Sequence, residues 1–399
     1  MNKLYVYFLT IAVFLPTSFS FALGSLRLSS YRVVCIFIFI VFFSKILKTF
    51  RGGFFSPQVL ICLYVFWVFL AITVNHGVGY AIEAAGVHFL ETFVPFIAIF
   101  MYCSSTKNIY KYVRFIILLL LLMLLVTIPE TLTGFNWFRT LTDALTGGYH
   151  SHIDKRMGLT RSLGTFDHAI LLGVISASMI SMAFFVYSFK KAVVISLCAA
   201  LSLSSGAMAS ISFQWILITW SKVFKRNSKK WMMFFILFLV IYISIDVLSN
   251  RTPLKVMLHY LTFSAHTAYW RILIFEYGIQ NAISNPFFGI GYNDWVRPSW
   301  MLSGSMDNFW LVNMVRYGFP SFILYAGSVL SILVSLFRLK VEDPDLLKLR
   351  RGWLAGMAGL IVSASTVHLW NNAYVFFNMY LGLGLALLYQ CKRSSGINK

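Results

Sequence analysis

Residues 248–318 read LSNRTPLKVMLHYLTFSAHTAYWRILIFEYGIQNAISNPFFGIGYNDWVRPSWMLSGSMDNFWLVNMVRYG, the longest run of this chain that is too polar to lie in lipid. The run carries acidic, basic and imidazole side chains and is rich in Trp and Tyr. Long loops are uncommon in compact proteins and are often functional. We therefore predict a large extramembrane loop at 248–317 that carries the functional site.

The rest of the chain is strongly apolar. Of its 399 residues, 59% are hydrophobic and 12% are charged, whereas a soluble domain carries about 25% charged residues. A membrane span needs ~20 apolar residues. Candidate spans lie at 4–23, 31–47, 58–76, 85–103, 113–129, 169–188, 192–204, 207–224, 231–248, 318–337, 353–369 and 372–391. The expected fold is one all-α polytopic membrane domain, 1–399, with about twelve transmembrane helices.

The formal net charge of +20 is of the kind that suits nucleic acid or other anionic partners. Basic residues, however, also accumulate on cytoplasmic loops of membrane proteins. With the N-terminus inside, about two thirds of the Lys and Arg residues fall on short cytoplasmic segments. We therefore expect a multi-pass membrane protein with both termini cytoplasmic, and no nucleic-acid partner. The apolar N-terminal run resembles a signal peptide but is predicted as the first transmembrane helix.

Two outer loops carry basic residues on the side where topology disfavours them. The first extracytoplasmic loop, 130–168, has room for one short helix at about 135–146, and the second, 248–317, for two or three. Arg161 is either an interfacial anchor or a clamp for phosphate. Arg271, at the start of a helical run, is either an exposed charge on an amphipathic helix or an anion ligand. Arg suits bidentate phosphate recognition because its guanidinium offers a planar fork of donors.

Other polar residues have two interpretations. Asp307 is well placed to cap a helix or to accept a proton from a hydroxyl, and the two roles are compatible. His88 and Glu91 lie one helical turn apart, where they either pair with each other or serve a function within the membrane. The turn Asn285-Pro-Phe-Phe-Gly-Ile-Gly291 is predicted to be structural, because Pro and Gly set its conformation.

Several chemistries lack their sequence signatures. The chain has five Cys and no CxxC spacing, so disulfides and structural zinc are not expected. No P-loop, dinucleotide-binding, HExxH or GxSxG motif occurs. The run His150-Ser-His152-Ile-Asp154 has spacing compatible with a metal, but we interpret it as a loop and predict no metal site.

An ordered set of motifs resembles the O-antigen ligase/polymerase superfamily. The motifs are Arg161 with Gly164-Thr-Phe, Ser204-Ser-Gly206, Arg271, Asn285-Pro-Phe-Phe-Gly-Ile-Gly291, Asp307-Asn-Phe-Trp-Leu311 and Arg316-Tyr-Gly318. Each motif is weak alone, and their order over residues 155–340 carries the resemblance. The resemblance implies a GT-C-like membrane glycosyltransferase of the Wzy type. It implies a metal-independent mechanism, with undecaprenyl-diphosphate-linked saccharides as substrates on the outer face of the bacterial cytoplasmic membrane, and we predict no cofactor.

The resemblance also implies roles for residues. Arg161 and Arg271 match the arginines that hold the donor diphosphate, and Asp307 is the expected base or acceptor-positioning residue. We add further substrate-binding candidates: Arg316, Asn308, Trp270, Tyr292 and His168. The Trp and Tyr residues of the second loop either stack on sugar rings or form an interfacial aromatic belt.

The ligase branch of the family typically has His where this chain has Asp307. That difference favours a repeat-unit polymerase for O-antigen, capsule or exopolysaccharide over a ligase that transfers polymer to lipid A–core. A transporter or flippase is a third alternative, although transporters usually contain internal repeats. The membrane bilayer is an expected partner, and a chain-length regulator stays open as a protein partner.

Overall fold

A computed structural model describes residues 3–24, 26–49, 56–147, 154–250, 252–253, 256 and 265–395. In this part of the chain the fold is almost entirely α-helical. The helices are α1 Lys3–Phe14, α2 Ser30–Leu47, α3 Pro57–His76, α4 Val78–Tyr102, α5 Thr106–Thr133, α6 Trp137–Thr146, α7 Ala169–Ser178, α8 Ile180–Met182, α9 Phe189–Ala200, α10 Ser205–Val223, α11 Lys230–Leu248, α12 Ala265–Ser284, α13 Phe309–Arg338, α14 Pro344–Ala364 and α15 Asn371–Ser394. A π-helical turn, Ala183–Tyr187, follows α8.

Two short antiparallel hairpins are the only sheet in the described residues. The first pairs β1, Ser20–Leu23, with β2, Leu26–Ser29. The second pairs β3, Lys155–Arg156, with β4, Leu159–Thr160. The second hairpin turns at Met157 and Gly158, which both have positive φ, as a tight two-residue turn requires.

Eight helical segments of the described chain are long and apolar enough to cross a membrane. They are Ser30–Leu47, Pro57–His76, Val78–Tyr102, Thr106–Thr133, Ala169–Tyr187, Lys230–Leu248, Phe309–Arg338 and Asn371–Ser394. The predicted all-α membrane fold is confirmed at this level. Helices α9, α10 and α14 lie at three more predicted spans but do not meet the same length and apolarity, so the total of twelve stays a prediction.

The predicted first span, 4–23, is wrong in its extent. The helix ends at Phe14, and Pro16 follows two residues later. Pro disfavours helical geometry in the residue before it. The chain then enters the first hairpin, which pairs Ser20 with Ser29. The helical hairpin predicted at 192–224 is confirmed: α9 ends at Ala200 and α10 begins at Ser205.

Helix α15 lies at the centre of the bundle. It packs mainly on α4, and α3 packs on both α4 and α13. Gly382 permits the close approach of α15 to α4, since a Cβ there would collide with Phe96. Gly384 leaves room in the same way for Trp353 of α14. Helix α11, in contrast to the central α15, has no buried residue. Lipid is the environment that suits a helix that is apolar on all sides.

The described part of the stretch 248–318 contains helix α12 and the start of helix α13. Arg271 lies in the second turn of α12 rather than at the start of its helix, which begins at Ala265. Helix α13 begins at Phe309, so the predicted loop 248–317 extends too far and the predicted span 318–337 starts too late. The two parts of α13 differ in direction because Gly318 breaks the helical geometry with φ 81° and ψ 170°.

The Asn285–Gly291 turn packs against this kink. Phe319 donates its backbone N–H to the Pro286 carbonyl at 2.8 Å, and Gly291 donates to the Arg316 carbonyl at 2.9 Å. A Cβ on Gly318 would collide with the Phe287 carbonyl. The structural interpretation of the turn is therefore confirmed, and two motifs that are separate in sequence form one joint.

Candidate functional site

A cavity of about 500 Å³ brings together four of the residues predicted from sequence: Arg161, His168, Arg271 and Asp307. We call it the basic cavity. Its other lining residues are Arg156, Ile170, Ser204, Ser205, Thr267, Ser305, His368 and Trp370. Two of the four come from the first predicted outer loop and two from the second, so the fold joins the loops at one place.

Four helices begin at the basic cavity. His168 is the N-cap of α7, Ser204 of α10 and Trp370 of α15, and all three line it. Asp307 immediately precedes Asn308, the N-cap of α13. The N-terminus of a helix carries unpaired N–H groups and roughly half a positive charge, which makes it a natural site for anions. Backbone dipoles and guanidinium groups thus favour the same sign of ligand.

Arg161 is buried and held from two sides. Its Nη1 pairs with the Asp154 carboxylate, and its Nε donates to the Ser202 carbonyl at 3.3 Å. The Arg161 backbone N–H also donates to the Asp154 carbonyl, at 2.9 Å. These contacts fix the position of the guanidinium group. His150 and His152 lie outside the described residues, and Asp154 serves as the ion-pair partner of Arg161.

Arg271 is only 7% exposed, and its guanidinium is incompletely paired. Nη2 donates to the Ser205 hydroxyl at 2.9 Å. Its Nε and Nη1 are buried and have no hydrogen-bond partner among the residues that the structure describes. Burial lowers the pKa of Arg271, while the nearby Asp307 opposes this effect. Buried polar groups are nearly always hydrogen-bonded, so these two donors mark a place for a ligand.

Arg156 is a third guanidinium that the sequence interpretation missed. It lies in β3, and its Nη1 donates to the Leu203 carbonyl at 2.9 Å. Burial lowers the pKa of Arg156, and the charge of Arg161 adds to this effect. The available signal was Lys155-Arg-Met-Gly158, in which a residue followed by Gly between two short runs favours a hairpin.

Asp307 is not the helix cap that we considered from sequence. Asn308 is the N-cap of α13, and its Oδ1 accepts from the N–H groups of Trp310 at 3.0 Å and Leu311 at 3.1 Å. The Asp307 carboxylate accepts from the Ser305 hydroxyl at 3.3 Å. Because Asn308 performs the capping, Asp307 can contribute its charge to the cavity.

His168 lies against Trp370 at the rim of the basic cavity. Its Nδ1 accepts from the Ile170 N–H at 3.1 Å, and its ring meets that of Trp370 edge to face at 5.6 Å. Burial lowers the pKa of His168, and the charge of Arg161 lowers it further. The accepting Nδ1 and the lowered pKa both favour a neutral imidazole.

An apolar groove of about 420 Å³ adjoins the basic cavity. Arg271 and Asp307 line both. The groove's other lining residues are Ile274, Phe275, Asn308, Trp310, Met314, Phe322, Ala326, Val329, Leu330, Ile361 and Ser365. Most of these lie along α13, on a helix long and apolar enough to cross a membrane. The groove therefore leads from an apolar region to the charged end of α13.

A third cavity, of about 640 Å³, is lined by many aromatic residues, and we call it the aromatic cavity. It shares His368 and Trp370 with the basic cavity. The Arg316 guanidinium lies over the Tyr292 ring at 5.3 Å. The expectation that His88 and Glu91 pair is wrong. His88 Nε2 contacts the Tyr317 hydroxyl at 2.7 Å, and Glu91 pairs with Arg32 at 2.7 Å.

The remaining predicted binding residues are spread over different surroundings. Arg316 and Tyr292 line the aromatic cavity and Asn308 lines the apolar groove, whereas Trp270 lines none of the three. The Trp270 indole donates to His266 Nε2 at 2.8 Å and packs on Trp300. Trp295 is 6% exposed, which leaves little of its ring for stacking on a sugar.

The arrangement can bind a polyanion. Three guanidinium groups and four helix N-termini meet one carboxylate in a cavity that opens onto an apolar groove. Within the described residues, no group of three or more His, Cys, Asp or Glu side chains is placed to hold a metal ion. No protein-family model matches the chain, and no curated protein gives a significant sequence match.

Proposed function

We propose that this protein is a membrane glycosyltransferase that uses a saccharide linked to undecaprenyl diphosphate as its donor. The observation that carries the proposal is that the basic cavity and the apolar groove share Arg271 and Asp307. An isoprenoid diphosphate has the same division, with an apolar chain joined directly to a compact polyanion. A free phosphate or a nucleotide has no apolar chain that could occupy the groove.

The chemistry follows from the charges around the cavity. A hydroxyl of the acceptor attacks the anomeric carbon of the donor, a C–O bond forms, and the bond to the diphosphate oxygen breaks. Asp307 accepts the hydroxyl proton, a role worth about 10²–10⁴-fold in rate. Arg161 and Arg271 bind the departing diphosphate, whose negative charge grows as the bond breaks. Preorganised charges of this kind usually supply the largest part of catalysis.

The acceptor saccharide enters from the aromatic cavity in this proposal. That cavity meets the basic cavity at His368 and Trp370, and it presents both ring faces and charged groups, which suit a sugar. The polymerase reaction, in which the acceptor is a second lipid-linked repeat unit, is favoured over the ligase reaction because Asp307 occupies the position where ligases typically have His. The products would be O-antigen, capsule or exopolysaccharide chains.

The proposal includes an orientation in the bacterial cytoplasmic membrane. The basic cavity faces the extracytoplasmic side and both termini lie in the cytoplasm. Its support is the charge at the far ends of α10, α13 and α15, which carry Lys222, Arg338, Lys392 and Arg393 in their last turns. Basic residues of this kind are typical of cytoplasmic helix ends.

The deciding experiment is a reaction with purified protein and synthetic undecaprenyl-diphosphate repeat units. We expect a ladder of lipid-linked products, with glycosidic bonds formed and undecaprenyl diphosphate released in equal amounts. A reaction that needs lipid A–core and yields no ladder from repeat units alone would identify a ligase. Movement of repeat units across vesicle membranes without new glycosidic bonds would identify a transporter and refute the proposal.

Deletion in the native host gives an independent test. Loss of a polymerase leaves a single repeat on the final acceptor, whereas loss of a ligase leaves long chains on the lipid carrier. We expect the first pattern. The matched control is a deletion strain complemented with wild-type protein, which should restore the full ladder.

A further inference from the structure

A fourth cavity lies at the end of the bundle away from the basic cavity. It measures about 640 Å³ and is bordered by the end of α10, the start of α11, the end of α13 and the start of α14. Ser205 of α10 lines the basic cavity and Ser221 of the same helix lines this one. At 1.5 Å per residue the two serines lie roughly 24 Å apart along the helix. We call this space the distal cavity.

Four cations line the distal cavity: Lys230, Arg338, Arg350 and Arg351. Lys230 Nζ donates to the Ser221 carbonyl at 3.4 Å, and Arg350 Nη2 donates to the Phe337 carbonyl at 3.1 Å. No carboxylate lines the cavity. Among the described residues, no ion pair involves any of the four. The cluster therefore gathers positive charge around a cavity whose lining contains no carboxylate.

Most of the other residues that line the distal cavity are apolar. Leu217, Leu333, Phe337 and Leu354 are among its lining residues. Trp231 also lines it, and Trp is enriched where membrane meets water. The neighbouring α11 is apolar along its length and none of its residues is buried. An occupant of the cavity can therefore extend along α11 into lipid.

We propose that the distal cavity binds the headgroup of an anionic phospholipid, such as phosphatidylglycerol, with its acyl chains lying along α11 and α13. Basic pockets between transmembrane helices are suited to anionic headgroups. Charge complementarity selects the headgroup, and the apolar walls with the exposed face of α11 select a lipid over a water-soluble phosphate. The site is separate from the basic cavity, so the proposal does not depend on the transfer reaction.

The test is native mass spectrometry of the purified protein in mild detergent. Phosphatidylglycerol and phosphatidylethanolamine with identical acyl chains are titrated separately, and the affinity of the first bound lipid is compared. The variant is Arg338→Gln/Arg351→Gln, which removes two exposed cations of the cavity. The matched control is Lys225→Gln/Lys340→Gln, which removes two exposed cations near the same end that do not line the cavity. Gel filtration of each variant checks that it is folded.

We expect the wild type and the control to bind phosphatidylglycerol with much higher affinity than phosphatidylethanolamine. In the Arg338/Arg351 variant phosphatidylglycerol should bind roughly 30-fold more weakly, since each cation near a membrane surface contributes about 1 kcal/mol. Equal affinity of the wild type for the two lipids would overturn the proposal, even if the variant failed to fold. Equal losses in the variant and the control would also overturn it, because they would reflect general surface charge.

Discussion

Arg271 of α12 donates a hydrogen bond to Ser205, the first residue of α10, across 66 positions of the chain. The bond places a buried guanidinium beside a helix N-terminus, where both groups are positive. Such an arrangement is costly, because a buried charge is unfavourable unless it is paired and the nearby Asp307 offsets only part of the effect of burial on Arg271. Arg271 is therefore better explained by ligand binding than by folding.

This explanation predicts that stability and activity separate in Arg271→Met. Met keeps much of the side-chain volume and removes the buried charge, so we expect unchanged or higher thermal stability. Polymer formation should fall by about 10²-fold or more, the usual cost of losing one donor to a developing negative charge. Thermal unfolding in detergent and the repeat-unit ladder measure the two effects.

Arg297→Met supplies the matched control. Arg297 pairs with Asp294 at 2.5 Å and lines none of the three cavities. Its loss should lower stability and leave activity per folded molecule near wild type. A strong loss of stability in Arg271→Met, with activity retained in the remaining folded protein, would make Arg271 structural.

Substitutions of Asp307 and Asn308 should affect different properties, the transfer rate for Asp307 and stability for Asn308. Asp307→Asn is expected to reduce transfer by about 10²-fold or more, since it removes the proposed base, without a change in stability. Asn308→Ala removes the cap of α13 and should lower the free energy of unfolding by about 1 kcal/mol. Asn308→Ser should restore most of that stability because Ser also caps helices well. Wild-type transfer rates in Asp307→Asn would exclude it as the base.

Two of the cationic residues of this site could be predicted from sequence because of their charge. Arg161 and Arg271 lie in stretches too polar for lipid, where positive charge has no topological explanation, whereas Asp307 was proposed as an N-cap or a base and placed by the order of the motifs. Their meeting in one cavity could not be derived, because it depends on how α7, α10 and α12 pack. Arg156 was missed because a six-residue hairpin, Lys155–Thr160, gives little periodic signal. Trp370 was missed because it stands at the N-cap position of α15 without a capping side-chain hydrogen bond, so no capping signal marks it in the sequence.

The sequence did not predict where helix α13 begins within the long stretch 248–318. Its polar composition suggested a loop, yet Phe309–Tyr317 forms the start of α13. Tertiary contacts determine where the helix begins in this region. The Ile290 and Gly291 N–H groups donate to carbonyls of α13 at 2.9 Å, and Asn308 supplies the cap. Hydropathy alone placed the start of the span at Gly318, which is the kink within the helix.

The joint at this kink predicts a contrast between two glycines of α13. Gly318→Ala should lower the free energy of unfolding by about 1–3 kcal/mol, because Ala is strained at φ 81° and would collide with the Phe287 carbonyl. Gly327→Ala should be neutral or slightly stabilising, since its new Cβ would lie 3.8 Å from the nearest atom, on Leu60. Unfolding of the two variants in detergent measures the difference. Equal effects would show that the joint does not constrain the backbone.

The apolar groove makes a prediction about donor length. Ala326 lines the groove, and Ala326→Phe would fill part of it. We expect the KM for an undecaprenyl donor to rise about tenfold, a loss of roughly 1.4 kcal/mol, while a donor with a short isoprenoid chain is used as before. Ile323→Phe on the same helix is the control, because Ile323 is 63% exposed and does not line the groove. Equal effects on long and short donors would argue against the groove as the lipid site.

His168 predicts how stability depends on pH. Its pKa is lowered from 6.5, first by burial and then by Arg161, so below about pH 6.5 the unfolded chain binds a proton that the folded chain does not. The stabilisation from His168 is therefore complete above pH 6.5 and is lost as the pH falls below it. His168→Asn keeps an acceptor for the Ile170 N–H and removes the titrating group. The difference in unfolding midpoint between pH 7.5 and pH 5.0 should be smaller in His168→Asn than in the wild type. An equal difference in both proteins would mean that the His168 pKa is not lowered by folding.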